Sequence, residues 1–155
     1  MKNISQSKIK IIHLSTESLY EASFLLVHYM YPSQWNEKNQ KDCLQKLIKL
    51  LEFQNANFLL AKIGGTPAGF IALNWGFSTT KGKPILLVQD LFVMPGFRRK
   101  GIAKMLINES ILLGKERDAN RLQLNTGTNN NNARALYQTL GFEWFPNKEI
   151  YMLFI

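Results

Sequence analysis

The sequence predicts a single-domain α/β protein in which one mixed central sheet is flanked by helices. An apolar segment runs from Ile85 to Val93, interrupted only by Gln89 and Asp90, and it predicts a strand buried on both faces. Ile102 then opens a helical repeat of apolar residues. Strand, helix and strand in succession predict a right-handed parallel crossover. A hairpin pattern before this segment predicts antiparallel neighbours, so the sheet is expected to be mixed.

The elements predicted before the central strand are one strand, two helices and a hairpin. In order they are a strand over Lys8 to Leu14, a helix capped by Ser15 or Thr16 and stopped at Tyr31-Pro32, a helix that Asn36 starts, and paired strands over Asn57 to Ile63 and Ala68 to Phe77. The turn residues of the hairpin are Gly64-Gly65-Thr66-Pro67. The predicted core stripe of the second helix is Leu44, Leu47, Ile48 and Leu51.

After the central strand, the helix from Ile102 is predicted to use the face Met105, Leu106, Glu109, Leu112 and Leu113. A strand over Arg121 to Thr126, the loop TGTNNNN and a further helix follow. One face of that helix carries Ala133, Leu136, Tyr137 and Leu140, and Gly141 is its left-handed cap. Phe142 to Phe145 and Ile150 to Phe154 are predicted as a final antiparallel pair. The complete order is β-α-α-β-β-β-α-β-α-β-β in one domain over residues 1–155.

Composition limits the functional classes. The net charge of +8 favours an anionic partner such as a nucleic acid, a membrane surface or a phosphorylated small molecule. The single cysteine excludes a disulfide framework and a cysteine-rich zinc site, and His13 and His28 lack metal-ligand spacing, so no metal is expected. The N-terminus carries no apolar signal region and no run is long enough to span a bilayer. A cytoplasmic protein without a membrane partner is therefore the expectation.

The turn after the central strand has the composition of a phosphate site. It carries Arg98, Arg99 and Lys100, followed by Gly101 at a predicted helix start. The first backbone N–H groups of a helix have no intrahelical partner, and the helix dipole adds partial positive charge there. Gly101 and Ala103 would leave this backbone uncovered for a pyrophosphate. The segment is neither a Walker loop, since Gly-Lys-Ser/Thr is absent, nor a Rossmann fingerprint, since the required glycines are missing.

Two motifs, in the right order and on the predicted elements, resemble the GNAT superfamily of N-acetyltransferases. Arg98, Gly101 and Ala103 form the pattern R-x-x-G-x-A, which resembles the acetyl-CoA pyrophosphate loop of that family. The segment NNNARALYQTLGF, in which Asn130 lies seven residues before Tyr137, resembles the family's segment that ends in Gly-Phe. The resemblance covers nearly the whole chain and implies the GNAT fold with acetyl-CoA as co-substrate.

The resemblance also implies roles for individual residues. Backbone groups for the pantetheine arm would come from Leu91, Phe92 and Val93. The pyrophosphate would be held by the run Arg98, Arg99, Lys100, Gly101, Ile102 and Ala103. Asn130 would contact the arm, and Tyr137 would lie near the thioester sulfur. The segment FSTTKGKPILLVQDLFV resembles the diamine, thialysine and histone-type acetyltransferases, with Gln89 where that subgroup carries glutamate.

Two residues are candidates for proton transfer. An amine with a pKa of about 10.4 must lose a proton before it attacks a thioester, and the leaving thiolate, with a pKa of about 8.5, must gain one. Tyr137 is the candidate acid, and its alternative role is core packing on a helix face. Asp90 is the acid in the central strand, where a carboxylate needs a hydrogen-bond partner. Either it accepts backbone N–H bonds and fixes a turn or bulge, or it positions the amine and relays its proton through water.

Three functions follow from these observations. The first is acetyl-CoA-dependent transfer of an acetyl group to a primary amine of a small molecule or peptide, directly in a ternary complex. The second is a non-catalytic acyl-CoA-binding module, which Gln89 favours. The third, a nucleic-acid-binding protein, rests on charge alone, since no RNP or helix-turn-helix signature is present. Family members of this type are often dimers, so the resemblance implies a homodimer.

Overall fold

The computed structural model describes residues 8–155. The chain divides into two compact units, the first ending at Asn125 and the second running from Thr126 to Ile155, and each is described by itself. The prediction of one domain over residues 1–155 stays a prediction.

The first unit is a five-stranded sheet with three helices. Its elements are β1 (Ile9–His13), α1 (Leu19–Met30), α2 (Glu37–Glu52), β2 (Ala56–Ile63), β3 (Thr66–Ser78), β4 (Lys83–Val93), α3 (Ile102–Glu116) and β5 (Leu122–Leu124). The strands lie in the order β1-β2-β3-β4-β5. The first four pair antiparallel, and β4 pairs parallel with β5. The mixed sheet and the parallel connection through α3 are therefore confirmed.

Local sequence signals set several of these boundaries. The side-chain oxygen of Asn36 accepts the Asn39 N–H at 2.8 Å, so α2 begins where the sequence predicts. The hairpin between β2 and β3 turns at Gly64 and Gly65, whose φ values of 54° and 85° favour glycine. A three-residue 3-10 turn, Thr16–Ser18, precedes α1. Ser15 stands before that turn, and its N–H donates to Ser18 Oγ at 3.0 Å.

The sheet buries apolar residues on both faces. Phe70 and Ala72 of β3 belong to a core cluster with residues of α1, α2 and β2, namely Ala22, Leu25, Leu47, Phe58 and Leu60. Ile71 and Leu73 alternate with them on the strand and are also buried, so they point to the opposite face, where α3 packs. The sheet is therefore the middle layer between α1 and α2 on one side and α3 on the other.

Three predicted burial patterns are wrong in detail. In β4, only Leu86 and Val88 are buried, and the other apolar residues are half-buried. In α2 the buried row is Gln40, Cys43 and Leu47. In α3 it is Ile102, Leu106, Ile107, Ser110 and Gly114, while Leu112 is exposed.

The differences in α2 and α3 share one physical origin, which is that a helix can turn small or polar residues toward the protein interior. Gln40 is satisfied inside because it accepts from Trp35 Nε1 at 2.7 Å and donates to Ser23 Oγ at 3.3 Å. A Cβ on Gly114 would lie 3.2 Å from Leu122 Cδ1, so glycine allows α3 to approach β5 closely. The spacing of apolar residues alone does not predict that such residues are buried.

The second unit contains α4 (Asn131–Thr139) and an extended C-terminal segment. The predicted face of α4 is confirmed, since Ala133, Leu136, Tyr137 and Leu140 are half-buried, and Gly141 has the expected left-handed φ of 88°. The predicted final strand pair is wrong. Within the described residues no strand follows β5, and side chains from Ile150 to Ile155 are exposed. Alternating apolar residues form a stable pair only with a partner edge, and an isolated two-stranded hairpin is marginal.

Candidate active site

The second half of β4 has one unpaired edge. β3 pairs with β4 as far as Val93, whereas β5 pairs only with Leu86 to Val88 on the other side. Within residues 8–125, the backbone after Val88 therefore has no strand partner on the side away from β3. This segment includes the three residues predicted to bind the pantetheine arm, Leu91, Phe92 and Val93. Its free N–H and C=O groups can accept an extended, amide-containing ligand as a strand would.

A β-bulge lies at the start of this open edge. Val88 is opposite Leu73 and Asp90 is opposite Ala72, so Gln89 is an extra residue in β4. The extra residue reverses the alternation of side chains beyond it. Val88 shares a face with Leu73 on the α3 side, while Asp90 shares a face with Ala72 on the α1 side. Gln89 Oε1 accepts from Asn74 Nδ2 at 3.3 Å, which anchors the bulged residue to β3.

Asp90 is held by a residue that the sequence interpretation missed. Tyr29, near the end of α1, donates its hydroxyl proton to Asp90 Oδ1 at 2.8 Å. Burial, followed by the hydrogen bond and the charge of Asp90, raises the pKa of Tyr29 to about 12. The partners are 61 residues apart in the chain, and no local spacing signals such a pair.

The turn after β4 has the features of an anion site. Gly101 occupies the N-cap position before α3 with φ of 82°, and the first intrahelical bond runs from Met105 N–H to Gly101 O. The N–H groups of Ile102, Ala103 and Lys104 precede that bond, and no side chain caps them. Three cationic residues lie in the same turn, with Arg98 and Arg99 exposed and Lys100 half-buried. Arg98 is tied to the strand end, since its Nε donates to Val93 O at 3.0 Å.

The remaining predicted residues lie in the second unit, on α4. Asn130 caps that helix, since its Oδ1 accepts the Ala133 N–H at 3.3 Å. Tyr137 is half-buried, its ring lies 5.7 Å from that of Phe142, and burial raises the pKa of its hydroxyl. On the same helix, Arg134 donates to Thr128 O at 3.0 Å and lies over the Trp144 ring at 5.0 Å.

Three further aromatic residues of the first unit are Trp35, Trp75 and Phe77. Trp75 and Phe77 line a cavity of about 350 Å³ together with Pro84 and Arg117, and the Arg117 guanidinium lies 4.7 Å from the Trp75 ring. Trp75 shares the sheet face of Leu73, which is opposite to that of Asp90. Trp35, in the loop between α1 and α2, is half-exposed and bonded to Gln40. Trp75 and Phe77 therefore lie on the sheet face opposite to Asp90, and Trp35 lies outside the sheet.

Clusters of candidate metal ligands and bilayer-spanning helices are both absent from residues 8–155. No group of three or more His, Cys, Asp or Glu side chains is placed to hold a metal ion. No helix in this range is both long and apolar enough to span a bilayer.

The sequence is similar to known acetyltransferases. A family model for the acetyltransferase (GNAT) family matches residues 18–142. The thialysine N-epsilon-acetyltransferase of Caenorhabditis elegans is 29% identical over 117 residues, which are 76% of this chain and 72% of that protein. An N-acetyltransferase of Methanocaldococcus jannaschii, described as uncharacterized, is 33% identical over 96 residues. This match covers 61% of the present chain but only 42% of the archaeal protein.

Solved structures share the fold. A probable acetyltransferase superposes with a TM-score of 0.80 at 23% identity, covering 94% of this chain and 97% of that one. The aminoglycoside N-acetyltransferase AAC(6')-Iy, solved in complex with CoA, superposes with a TM-score of 0.79 at 20% identity, covering 99% and 98%. These likenesses confirm the predicted fold class. Since the family model spans most of its length, the chain belongs to the GNAT family of acetyltransferases.

Proposed function

We propose that the protein transfers an acetyl group from acetyl-CoA to a primary amine. The observation that carries this proposal is the continuity between two backbone sites, the open edge of β4 and the uncapped N-terminus of α3. The bond from Arg98 Nε to Val93 O joins the end of one to the turn that leads into the other. A ligand with an amide-bearing arm and a pyrophosphate needs two such sites in succession.

The residues present fit that ligand. The arm pairs with the β4 backbone at Leu91, Phe92 and Val93. The pyrophosphate lies on the N–H groups of Ile102 and Ala103, beside the cations of the turn and next to Gly101, which has no Cβ to obstruct it. Asn130 of α4 is assigned to the arm by its family resemblance, although its Oδ1 also caps α4. Acetyl-CoA, when bound, supplies an activated acyl group with a thiol leaving group.

In this proposal Asp90 receives the protonated amine and passes its proton to water, because its carboxylate lies beside the open edge of β4. A backbone N–H of β4 donates to the oxyanion that develops on the acetyl group. Tyr137 donates the proton that the leaving thiolate requires. Burial keeps that proton on the phenol over the working pH range, since it raises the pKa of Tyr137.

Transfer is direct rather than through an acylated cysteine. The chain has one cysteine, and Cys43 is fully buried in α2. Burial raises the pKa of its thiol, so little thiolate is available as a nucleophile.

We therefore expect Cys43→Ala to retain kcat within about threefold, because no covalent step uses the thiol. Initial rates measured against both substrates should give intersecting double-reciprocal lines, as a ternary complex requires. A folded Cys43→Ala protein that fails to turn over, or parallel lines for the wild type, would contradict direct transfer.

Acetyl-CoA should raise the melting temperature, because a ligand that binds only the native state stabilises it. At a hundredfold excess over Kd the gain is about 2.7 kcal/mol, which for a chain of this size corresponds to roughly 5–10 °C. Thiol release should then follow on addition of an amine, measured over polyamines, lysine analogues, aminoglycosides, amino acids and peptide N-termini. Acetyl-CoA without amine is the blank, since it reports hydrolysis alone.

The two readouts separate the candidate functions. A melting shift with amine-dependent thiol release supports the enzyme. A shift without release over the whole panel supports the non-catalytic acyl-CoA-binding module. No shift at millimolar acetyl-CoA removes both. The amine classes in the panel include those named for its relatives, thialysine and aminoglycosides. A homodimer and a cytoplasmic location stay predictions.

A further inference from the structure

Tyr29 is fixed by aromatic packing as well as by its bond to Asp90. Its ring meets Phe70 edge to face, with centroids 5.6 Å apart, and it lies 5.6 Å from Phe92 at a tilted angle. Phe70 itself is fully buried in the core cluster. The ring therefore has little freedom, and the hydroxyl is presented to Asp90 in one direction.

The bulge is the device that brings the two side chains together. In a regular strand Gln89 would pair with Ala72, and Asp90 would lie on the same face as Val88, toward α3. With the bulge, Asp90 lies on the α1 face of the sheet, beside Tyr29. The bond between Asn74 and Gln89 holds the bulge on the neighbouring strand. The bulge and two hydrogen bonds, one from Asn74 of β3 and one from Tyr29 of α1, thus set the direction of one carboxylate.

The hydrogen bond from Tyr29 makes the two carboxylate oxygens of Asp90 different. Oδ1 accepts from Tyr29, whereas no donor within residues 8–125 reaches Oδ2. The pair is also accessible, since Tyr29 is 39% exposed and Asp90 is half-buried. Because the pKa of Tyr29 is about 12, the phenol remains a donor over the working pH range.

We propose that Tyr29 is a positioning residue, whose hydroxyl fixes Oδ1 of Asp90 and leaves Oδ2 directed to the ammonium group of the acceptor. This inference rests on the proposed function, in which Asp90 receives the amine. A carboxylate free to rotate would present either oxygen and lose the alignment that proton transfer requires. Loss of the Tyr29 hydroxyl is therefore expected to impair use of the amine rather than binding of acetyl-CoA.

The test is Tyr29→Phe, which keeps the ring and its packing on Phe70 and Phe92. A hydrogen bond to a charged group lost in this way should lower kcat/KM for the amine by roughly tenfold or more. The KM for acetyl-CoA should stay within about twofold, because the substitution keeps the ring that packs on Phe92 and the arm is proposed to pair with the β4 backbone. Tyr20→Phe is the matched control, because Tyr20 lies on the same helix and is 69% exposed. It should change neither parameter.

A second measurement separates positioning from a structural role. In an Asp90→Asn background, Tyr29→Phe should cost less than about twofold further, because the group that the hydroxyl positions has been altered. A structural contribution would instead lower kcat/KM by the same factor in both backgrounds. Melting temperatures of the wild type, the two single variants and the double variant show whether altered folding contributes to the loss. The comparison of backgrounds remains valid if Tyr29→Phe lowers the melting temperature equally in both.

The outcomes are distinct from those of the proposed function. An active wild type whose Tyr29→Phe variant keeps its kcat/KM within about twofold overturns the positioning role alone. Equal losses in both backgrounds, or a raised KM for acetyl-CoA, also overturn it. A wild type that binds acetyl-CoA but acetylates no amine overturns the proposed function, and the positioning role with it.

Discussion

Tyr137→Phe is expected to lower kcat by roughly 10²–10⁴-fold, the usual value of proton transfer from a placed side chain. The KM for acetyl-CoA should change little, because the hydroxyl acts mainly in the transition state. The substitution keeps the ring, so its contact with Phe142 remains. Within residues 126–155 the hydroxyl has no hydrogen-bond partner in α4 or the C-terminal segment, so its loss should cost at most about 1 kcal/mol of stability.

The raised pKa of Tyr137 affects its ability to act as an acid. A phenol with an ordinary pKa of about 10 protonates a thiolate of about 8.5 at an uphill cost of roughly 2 kcal/mol. Burial raises the pKa of Tyr137 and so increases that cost for a thiolate in water. A thiolate formed in the same water-poor surroundings has its own pKa raised, because desolvation disfavours both anions. The two effects offset, and Tyr137 remains a competent acid only if the thiolate forms beside it.

Tyr151→Phe is the matched control for this experiment. Tyr151 is also in the second unit, is 87% exposed and donates to Glu149 at 2.7 Å. Its removal should leave kcat unchanged. If folded Tyr137→Phe keeps more than about a third of wild-type kcat on the best amine, the leaving thiolate takes its proton from elsewhere and the residue is a packing aromatic.

The sequence predicted the sheet well because each strand carried its own signal. The turn glycines Gly64 and Gly65 defined the hairpin, and Asn36 defined the start of α2 through its cap. The prediction of a final strand pair was wrong, because apolar alternation in the C-terminal segment does not indicate whether another strand is available to pair with it. The sequence also did not predict the burial of Gln40, because tertiary packing brings its two hydrogen-bond partners to it.

The candidate site was predictable where it is made of contiguous backbone. The turn from Arg98 to Ala103 could be read directly, because its chemistry depends on glycine, cations and a helix start. The environment of Asp90 could not. A bulge of one residue at Gln89 decides its face, and Tyr29 reaches it from 61 residues away. Neither feature leaves a local pattern, so local sequence cannot predict a polar pair of this kind.

Gly101→Asp is expected to weaken acetyl-CoA binding by well over tenfold, which is more than 1.4 kcal/mol. Its carboxylate would stand at the start of α3, where the pyrophosphate is proposed to lie. Two unit charges about 4 Å apart near a protein surface repel by about 4 kcal/mol, so the tenfold limit is conservative. Aspartate is preferred to glutamate because φ at this position is 82°, a left-handed value that Asp and Asn tolerate better than other side chains.

Gly101→Asn supplies the control, because it shares the shape, the backbone strain and the capping oxygen of aspartate but has no charge. Both side chains are good helix caps and would occupy one free N–H of α3. Both variants should therefore fold alike, with similar melting temperatures in the absence of ligand. Affinity measured by calorimetry should fall modestly for asparagine and much further for aspartate, with the difference shrinking at high salt as charges are screened. Equal affinities for the two variants would show that the phosphates do not lie at the N-terminus of α3.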